Sequence, residues 1–223
     1  MLEAIRRPLA LIALIAALAA VFLSRGDSTG DQGTYDKVQG ENNTVLFLVN
    51  ANHGYTNVHL ATAYTLLEQH PAVKLHFGTF EKMRERVKRI EESGALANPE
   101  AQEVPFHLMP VAMDYVDAIR SHGIMTPDEM IVPPGLEGNR YLSKNFRWIF
   151  APWLQEDHLA MYRRCRELID EIDPSLVVLD PMFRPAMEAA QDARRLYAML
   201  SPMTLEEFIT LQPWGKWIWK YPM

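Results

Sequence analysis

A single cysteine, Cys165, stands among 223 residues, so no disulfide can close within the chain and no cysteine-rich metal site can be built. Its expected role is a buried structural thiol. Excess positive charge is missing too: 22 Lys and Arg face 28 Asp and Glu, the net charge is −6, and no basic tail is present. That balance excludes nucleic acid as the main partner. The one basic run, Lys82–Arg89, is interleaved with Glu81, Glu85, Glu91 and Glu92, and reads as the solvated face of a helix with i,i+4 pairs. Several catalytic signatures are absent as well. No serine sits in G-x-S-x-G, which excludes the hydrolase nucleophile elbow. Walker A, G-x-G-x-x-G and H-E-x-x-H are all missing. No resident cofactor or metal is therefore expected, and His53 and His59 are not spaced as neighbouring ligands on a helix face. Repeats and low-complexity tracts are also wanting.

What is present begins with an address. Leu9–Leu23 is uninterrupted apolar sequence preceded by Arg6 and Arg7, with a length between a cleaved signal core and a full span of ~20 residues. The A-x-A candidate, Ala17-Leu18-Ala19, lies inside the run, which favours an uncleaved signal anchor. The flanking charge places the remainder in the lumen of the endoplasmic reticulum or another endomembrane, as a single-pass protein. The expected organisation is an anchor over residues 1–24, a Gly/Asp/Ser-rich linker over 25–43, and one domain over 44–223. Asn42-Asn43-Thr44 is a glycosylation sequon consistent with a lumenal domain.

The domain, with hydrophobic residues at 48% of the whole chain, has ample material for a core. It reads as alternating strand and helix. The apolar run Val45–Val49 is a first strand, closed by a polar turn carrying His53-Gly54. Asn57–Gln69 is helical, Val73–Gly78 a second strand, and Glu81–Ser93 a helix stopped by Gly94. Val104–Leu108 is a third strand, weakened by Pro105. Met125–Gly138 is a long Pro/Gly-rich loop, and Ser143–Glu171 one long helix bent near Pro152. Leu176–Leu179 is a short buried strand ending in Asp180; Arg184–Ala193 is helix and Leu196–Leu200 strand. Thr204 caps a final helix with Glu207 at the capping-box position. This alternation is α/β with a mainly parallel, doubly wound sheet. Met182-Phe183 and Trp148/Trp153 read as core, while the Trp214, Trp217, Trp219 cluster needs burial against something.

Winding the strands as 3-2-1-4 sets strand one beside the LVVL strand at the switch point, where ligands of such sheets bind. Neighbouring strands lie ~4.8 Å apart. His53 and Asp180, just beyond their carboxyl ends, come within hydrogen-bonding reach of each other. A carboxylate on the far nitrogen fixes the tautomer of a histidine base and stabilises its imidazolium. Two readings stand: a general-base dyad without a protein nucleophile, or a loop histidine and an Asp-Pro turn with no chemistry.

Four segments together carry a resemblance: FLVNANHGYTNVHLATAYTLLEQHP, VKLHFGTF, EIDPSLVVLDPMFRPAMEA and LSPMTLEEFITLQPWGKWIWKYP. Across them Thr44–Met223 resembles the N-terminal, acceptor-binding half of the UDP-glycosyltransferases, in particular fungal glucosyl- and glucuronosyltransferase-like members. The resemblance implies a Rossmann-like domain, the N-terminal half of a GT-B fold. It implies His53 as catalytic base, Asp180 as its partner, UDP-sugar as co-substrate and a small lipophilic molecule as acceptor. The absence of Asp-x-Asp agrees with a metal-independent transferase. Many members carry Gly before the histidine and Asn or Pro three residues after it; here Asn52 precedes His53 and Asn57 follows by four. The family's donor-binding domain has no counterpart among these residues. The chain is therefore expected to be an incomplete enzyme, a membrane-tethered binding subunit served by a separate donor-domain polypeptide, or an inactive truncated product.

Overall fold

In the computed structural model, which describes residues 37–40, 42–124 and 136–202, the apolar run before Asn50 is the middle strand of a parallel sheet. β1 (Asn42–Leu48) pairs with β2 (Lys74–Thr79) on one side and β4 (Pro174–Leu179) on the other. Leu46, Phe47, Leu48 and Val49 are all 0% exposed, as a strand covered on both faces requires. β3 (Phe106–Leu108) extends the sheet beyond β2, and β5 (Tyr197–Met199) beyond β4. Among the described residues the order is β3-β2-β1-β4-β5, parallel throughout. The expected 3-2-1-4 winding is therefore found, with the switch point between β1 and β4.

Helices cover both faces, which makes the fold Rossmann-like α/β. Phe47 and Phe77 stand in register, their rings stacked at 4.8 Å, and His59 of α1 (His53–Gln69) packs edge-on against Phe47 at 6.4 Å. Alternation sends Leu48 and Gly78 to the opposite face. There a Cβ added to Gly78 would lie 2.7 Å from Leu48 Cδ2 and 3.3 Å from Leu168 of α5 (Gln155–Ile172), so glycine is what lets α5 approach. α2 (Arg84–Ala97) packs with α1, and α6 (Arg184–Asp192) with α5. Cys165, Phe183 and Trp153 are buried, and the Trp153 indole donates to Met113 O at 3.0 Å. Burial pushes the Cys165 thiol far up, as an inert structural thiol should be.

Several boundaries differ from the reading of the sequence. α1 starts at His53, four residues ahead of Asn57, so His53-Gly54 opens the helix instead of lying in the turn. The stretch Ser143–Glu171 is two helices: α4 (Leu136–Phe150) and α5, parted at residues 151–154. Pro152 lacks an N–H and crowds the α conformation of Ala151, which breaks the helix where a bend was expected. α4 also absorbs the last residues of the long loop. α3 (Tyr115–Ser121) was not foreseen; its seven residues give too few turns for a periodicity, and its cap, Asp114, accepts from Asp117 N at 2.9 Å. Lys82 is exposed on the 3-10 turn Glu81–Met83 ahead of α2, and it pairs with Asp114 at 2.8 Å and with Asp117, tying that turn to α3. Farther along the basic run, Lys88 and Glu92 form an i,i+4 pair at 3.8 Å. Upstream, Val38 bridges Arg195 and β1 begins at Asn42, so the sheet draws in residues from the stretch read as linker.

Among the described residues no helix is long and apolar enough to cross a membrane. The Leu9–Leu23 anchor, the Thr204/Glu207 helix and the Trp214, Trp217, Trp219 cluster lie outside the described residues.

Gly94 does not stop a helix. It sits inside α2, where a Cβ would lie 2.8 Å from Leu67 Cβ and 2.9 Å from Leu67 Cδ1 of α1. Alanine there gains ~1 kcal/mol of helix propensity but forces α1 and α2 apart, an overpacking cost of ~1–3 kcal/mol. Gly94→Ala is expected to be net destabilising in urea unfolding and Gly94→Val more so. A Gly94→Ala variant as stable as the parent would show that close helix packing does not require glycine.

Candidate functional site

The carboxyl ends of the strands gather the buried polar groups. Phe47, Phe77 and Val178 form one row across β1, β2 and β4, on the α1 face. The ladder continues through Val49 N donating to Gly78 O at 3.1 Å and Asp180 N donating to Leu48 O at 3.2 Å. Carried two residues on, the same face presents Val49, Thr79 and Asp180. Each is 0% exposed.

Asp180 is held by backbone from two elements. Its Oδ2 accepts from Asn50 N at 3.2 Å, in the turn after β1, and its Oδ1 from Met182 N at 2.9 Å. Asn50 in turn knits three pieces together. Its Oδ1 accepts from Ala51 N at 2.8 Å and from Tyr115 N at 3.1 Å, and its carbonyl accepts from Thr56 Oγ1 at 2.8 Å. The turn leading to His53 is therefore fastened on one side to β4 through Asp180 and on the other to α3 through Tyr115. Tyr115 OH donates to Ile149 O at 2.5 Å, which brings the end of α4 to the same place.

The electrostatics follow from this burial. Desolvation raises the Asp180 pKa above its ordinary value of 3.8; the Met182 and Asn50 N–H groups and the His59 imidazole each oppose that rise without cancelling it. Burial and the neighbouring Tyr55 and Asp180 push the Tyr115 hydroxyl well up, so it stays neutral and serves as a donor. A buried acid with a raised pKa beside the mouth of an α/β sheet marks a functional-site candidate.

The expected pair lands as follows. His53 is the first residue of α1, directly after the turn that Asp180 anchors; its side chain lies outside the described residues. The structure thus brings together the two backbone segments that bear His53 and Asp180. Asn42 opens β1, and its Nδ2, the atom a glycan would take, donates to Ile172 O at 3.0 Å in the folded domain. Reasoning from sequence missed Asn50, Tyr115 and His59. Asn50 had a signal, an amide closing an otherwise apolar run. His59 was weighed only as a metal ligand, and its offset of six from His53, about 240° around a helix, is what turns it inward onto Phe47. Among the described residues no group of three or more His, Cys, Asp or Glu is placed to hold a metal ion.

Compared with known proteins, the chain is 26% identical over 184 residues to glycosyltransferase sdnJ of Sordaria araneosa. The aligned part covers 80% of this chain but 36% of that protein's length. This match supports the resemblance to a glycosyltransferase family. No family model matches the chain.

Because the native state binds a proton at Asp180 more tightly than the unfolded chain does, ionising Asp180 works against folding. Its contribution to stability is fullest below 3.8 and is lost as pH rises from there through the raised native value. Asp180→Asn removes this dependence. Urea unfolding across a pH series should show the stability of the parent falling relative to Asp180→Asn over that window and then running parallel to it. Curves parallel at every pH would mean that burial does not raise this acid.

Proposed function

We propose that these residues form the acceptor-binding half of a UDP-sugar-dependent glycosyltransferase, the N-terminal domain of a GT-B fold, transferring a hexose to a hydroxyl of a small lipophilic acceptor. One observation carries the reading: Asp180, buried at the end of β4, holds the turn that delivers His53 at the switch point of the sheet. The likeness to a curated glycosyltransferase over most of this chain supports it.

The mechanism is an inverting displacement. His53 accepts the proton of the acceptor hydroxyl as its oxygen forms a bond to the anomeric carbon of the sugar. The bond from that carbon to the diphosphate breaks, and UDP leaves with the electron pair. Asp180 stabilises the resulting imidazolium and orients the ring, the role a buried carboxylate performs beside a histidine base. In this proposal nucleotide contacts and leaving-group stabilisation fall to a donor-binding domain, on the same polypeptide or a separate one. The lipophilic acceptor is supported by exposed apolar side chains around the end of α4, the end that Tyr115 binds through Ile149 O: Phe146 and Phe150 late in α4, and Leu154 after it. Leu9–Leu23 tethers the domain on the lumenal side of an endomembrane in this proposal.

Hexose transfer from UDP-glucose to phenolic and sterol acceptors, catalysed by this chain together with its donor domain, is the assay. His53→Ala is expected to lower kcat by ~10²–10⁴-fold, the loss of a general base. Near-normal turnover by that variant would remove His53 from the chemistry. Carbonate extraction of microsomes tests the tether: the protein is expected in the membrane pellet with its N-terminus intact. Release in a shortened form would identify a cleaved signal instead.

A further inference from the structure

One side of α4 packs onto the domain and the other is bare. The Trp148 ring stacks on His122 at 3.7 Å, and Ile149 O accepts from Tyr115 OH, so that side of the helix faces the core. The opposite side carries two stripes. At about 100° per residue, Phe150 and Phe146 stand about 40° and 80° to one side of Leu136, and Arg147, Arg140 and Lys144 about 20°, 40° and 80° to the other. Every one of these residues is exposed, Leu136 to 77% and Phe146 to 61%. The Phe146 and Phe150 rings lie 4.7 Å apart between centroids. An aromatic stripe thus runs beside a basic one along the same exposed face.

The charge of this face runs against that of the chain. The whole chain carries −6, yet α4 sets Arg140, Lys144 and Arg147 against the single acid Glu137. Among the described residues none of the three cations is in an ion pair; the Arg147 guanidinium lies over the Trp148 ring at 4.6 Å, which leaves its charge unneutralised. An uncharged apolar ligand has no use for the cations, and an anion alone has no use for the rings. A bilayer with anionic headgroups uses both at once. The rings seat at the boundary with the acyl chains, while the long Lys and Arg stems carry their charges at the level of the phosphates. An acidic amphipathic helix would match both stripes as well, but such helices dock in grooves, and here both stripes lie on the convex side of one helix.

We propose that the exposed face of α4 is a lipid-contacting surface for bilayers that contain anionic phospholipid. Leu136, Phe146 and Phe150 enter the interface, and Arg140, Lys144 and Arg147 bind headgroup phosphates, with α4 lying along the surface. This contact is separate from the tether proposed for Leu9–Leu23, which would hold the chain to a bilayer whatever its headgroups. α4 responds to headgroup charge and decides which side of the domain meets the membrane. A lipophilic acceptor dissolved in the bilayer then reaches the domain at the end of α4 that Tyr115 ties down through Ile149 O.

The test places a nitroxide at Ser143→Cys, an exposed position between the two stripes that alters neither, in the full chain. Cys165 is 0% exposed and is expected to take up no label, as the parent chain checks. Collisions of the nitroxide with oxygen and with a water-soluble nickel chelate are compared in phosphatidylcholine vesicles with and without phosphatidylserine. With phosphatidylserine the label at 143 is expected to gain oxygen collisions and lose nickel collisions. A label at Leu96→Cys, 87% exposed on α2, should stay in water in both. Adding Arg140→Gln and Lys144→Gln should return the label at 143 to water. A label at 143 that meets nickel equally in both vesicles overturns the proposal. So does an equal move into the bilayer without phosphatidylserine, since headgroup charge is then not read. A label shielded from both reagents before vesicles are added overturns it too, because protein, from this chain or a second copy, then covers the face. The tether is present in every arm, so a difference between vesicles belongs to α4. No turnover is read, so the contact and the proposed hexose transfer stand or fall separately.

Discussion

The parallel pairing of β1 with β4 is the constraint on which the remaining structure depends. Leu48 stands opposite Leu179, and the next residues on each strand leave the sheet together. A parallel pair buried on both faces has no solvent to satisfy its backbone, so every N–H past the last rung needs a partner. Asp180 supplies one to Asn50 and another to Met182. The turn after β1 thereby acquires a fixed place relative to the turn after β4, and α1 starts where that place dictates. Remove the register and neither the turn nor the entry of α1 has a reason to be where it is.

The same arrangement explains how a costly group is retained. Burying a carboxylate in an apolar layer is unfavourable unless hydrogen bonds or opposite charge compensate it. Here two backbone donors and one imidazole only partly offset desolvation, and the Asp180 pKa stays raised. An asparagine in the same place would offer its one side-chain oxygen to only one of the two N–H groups and turn an NH2 toward the other. A buried acid with a raised pKa at the carboxyl end of such a sheet is a candidate functional group.

Around this seam the fold is ordinary, and that is informative. Stacked Phe47 and Phe77, buried Phe183 and Trp153, and the close approach of α2 to α1 at Gly94 build a stiff layer on each side of the sheet. Stiffness there lets small polar groups at the rim be held in place by a few hydrogen bonds. The Lys82 pairs with Asp114 and Asp117 hold α3, whose first N–H reaches Asn50. An ion pair at the periphery thus contributes to the geometry of the rim.

The amino-acid sequence by itself determined the class of the fold, the order of its strands and the identity of the loops at its switch point. Apolar runs such as Val45–Val49 and Leu176–Leu179 leave a buried parallel strand as the fitting reading, because their side chains must be covered on both faces. Helix ends were less legible. His53 opens α1 without a side-chain cap, Pro152 parts α4 from α5, and α3 is too short to show a period. What only the tertiary structure decided is which polar residues meet. Asn50 lies 130 positions from Asp180 in the sequence, and its N–H reaches that carboxylate only because of the register of β1 with β4. Local pattern marks which side chains are buried; only packing decides what a buried side chain faces.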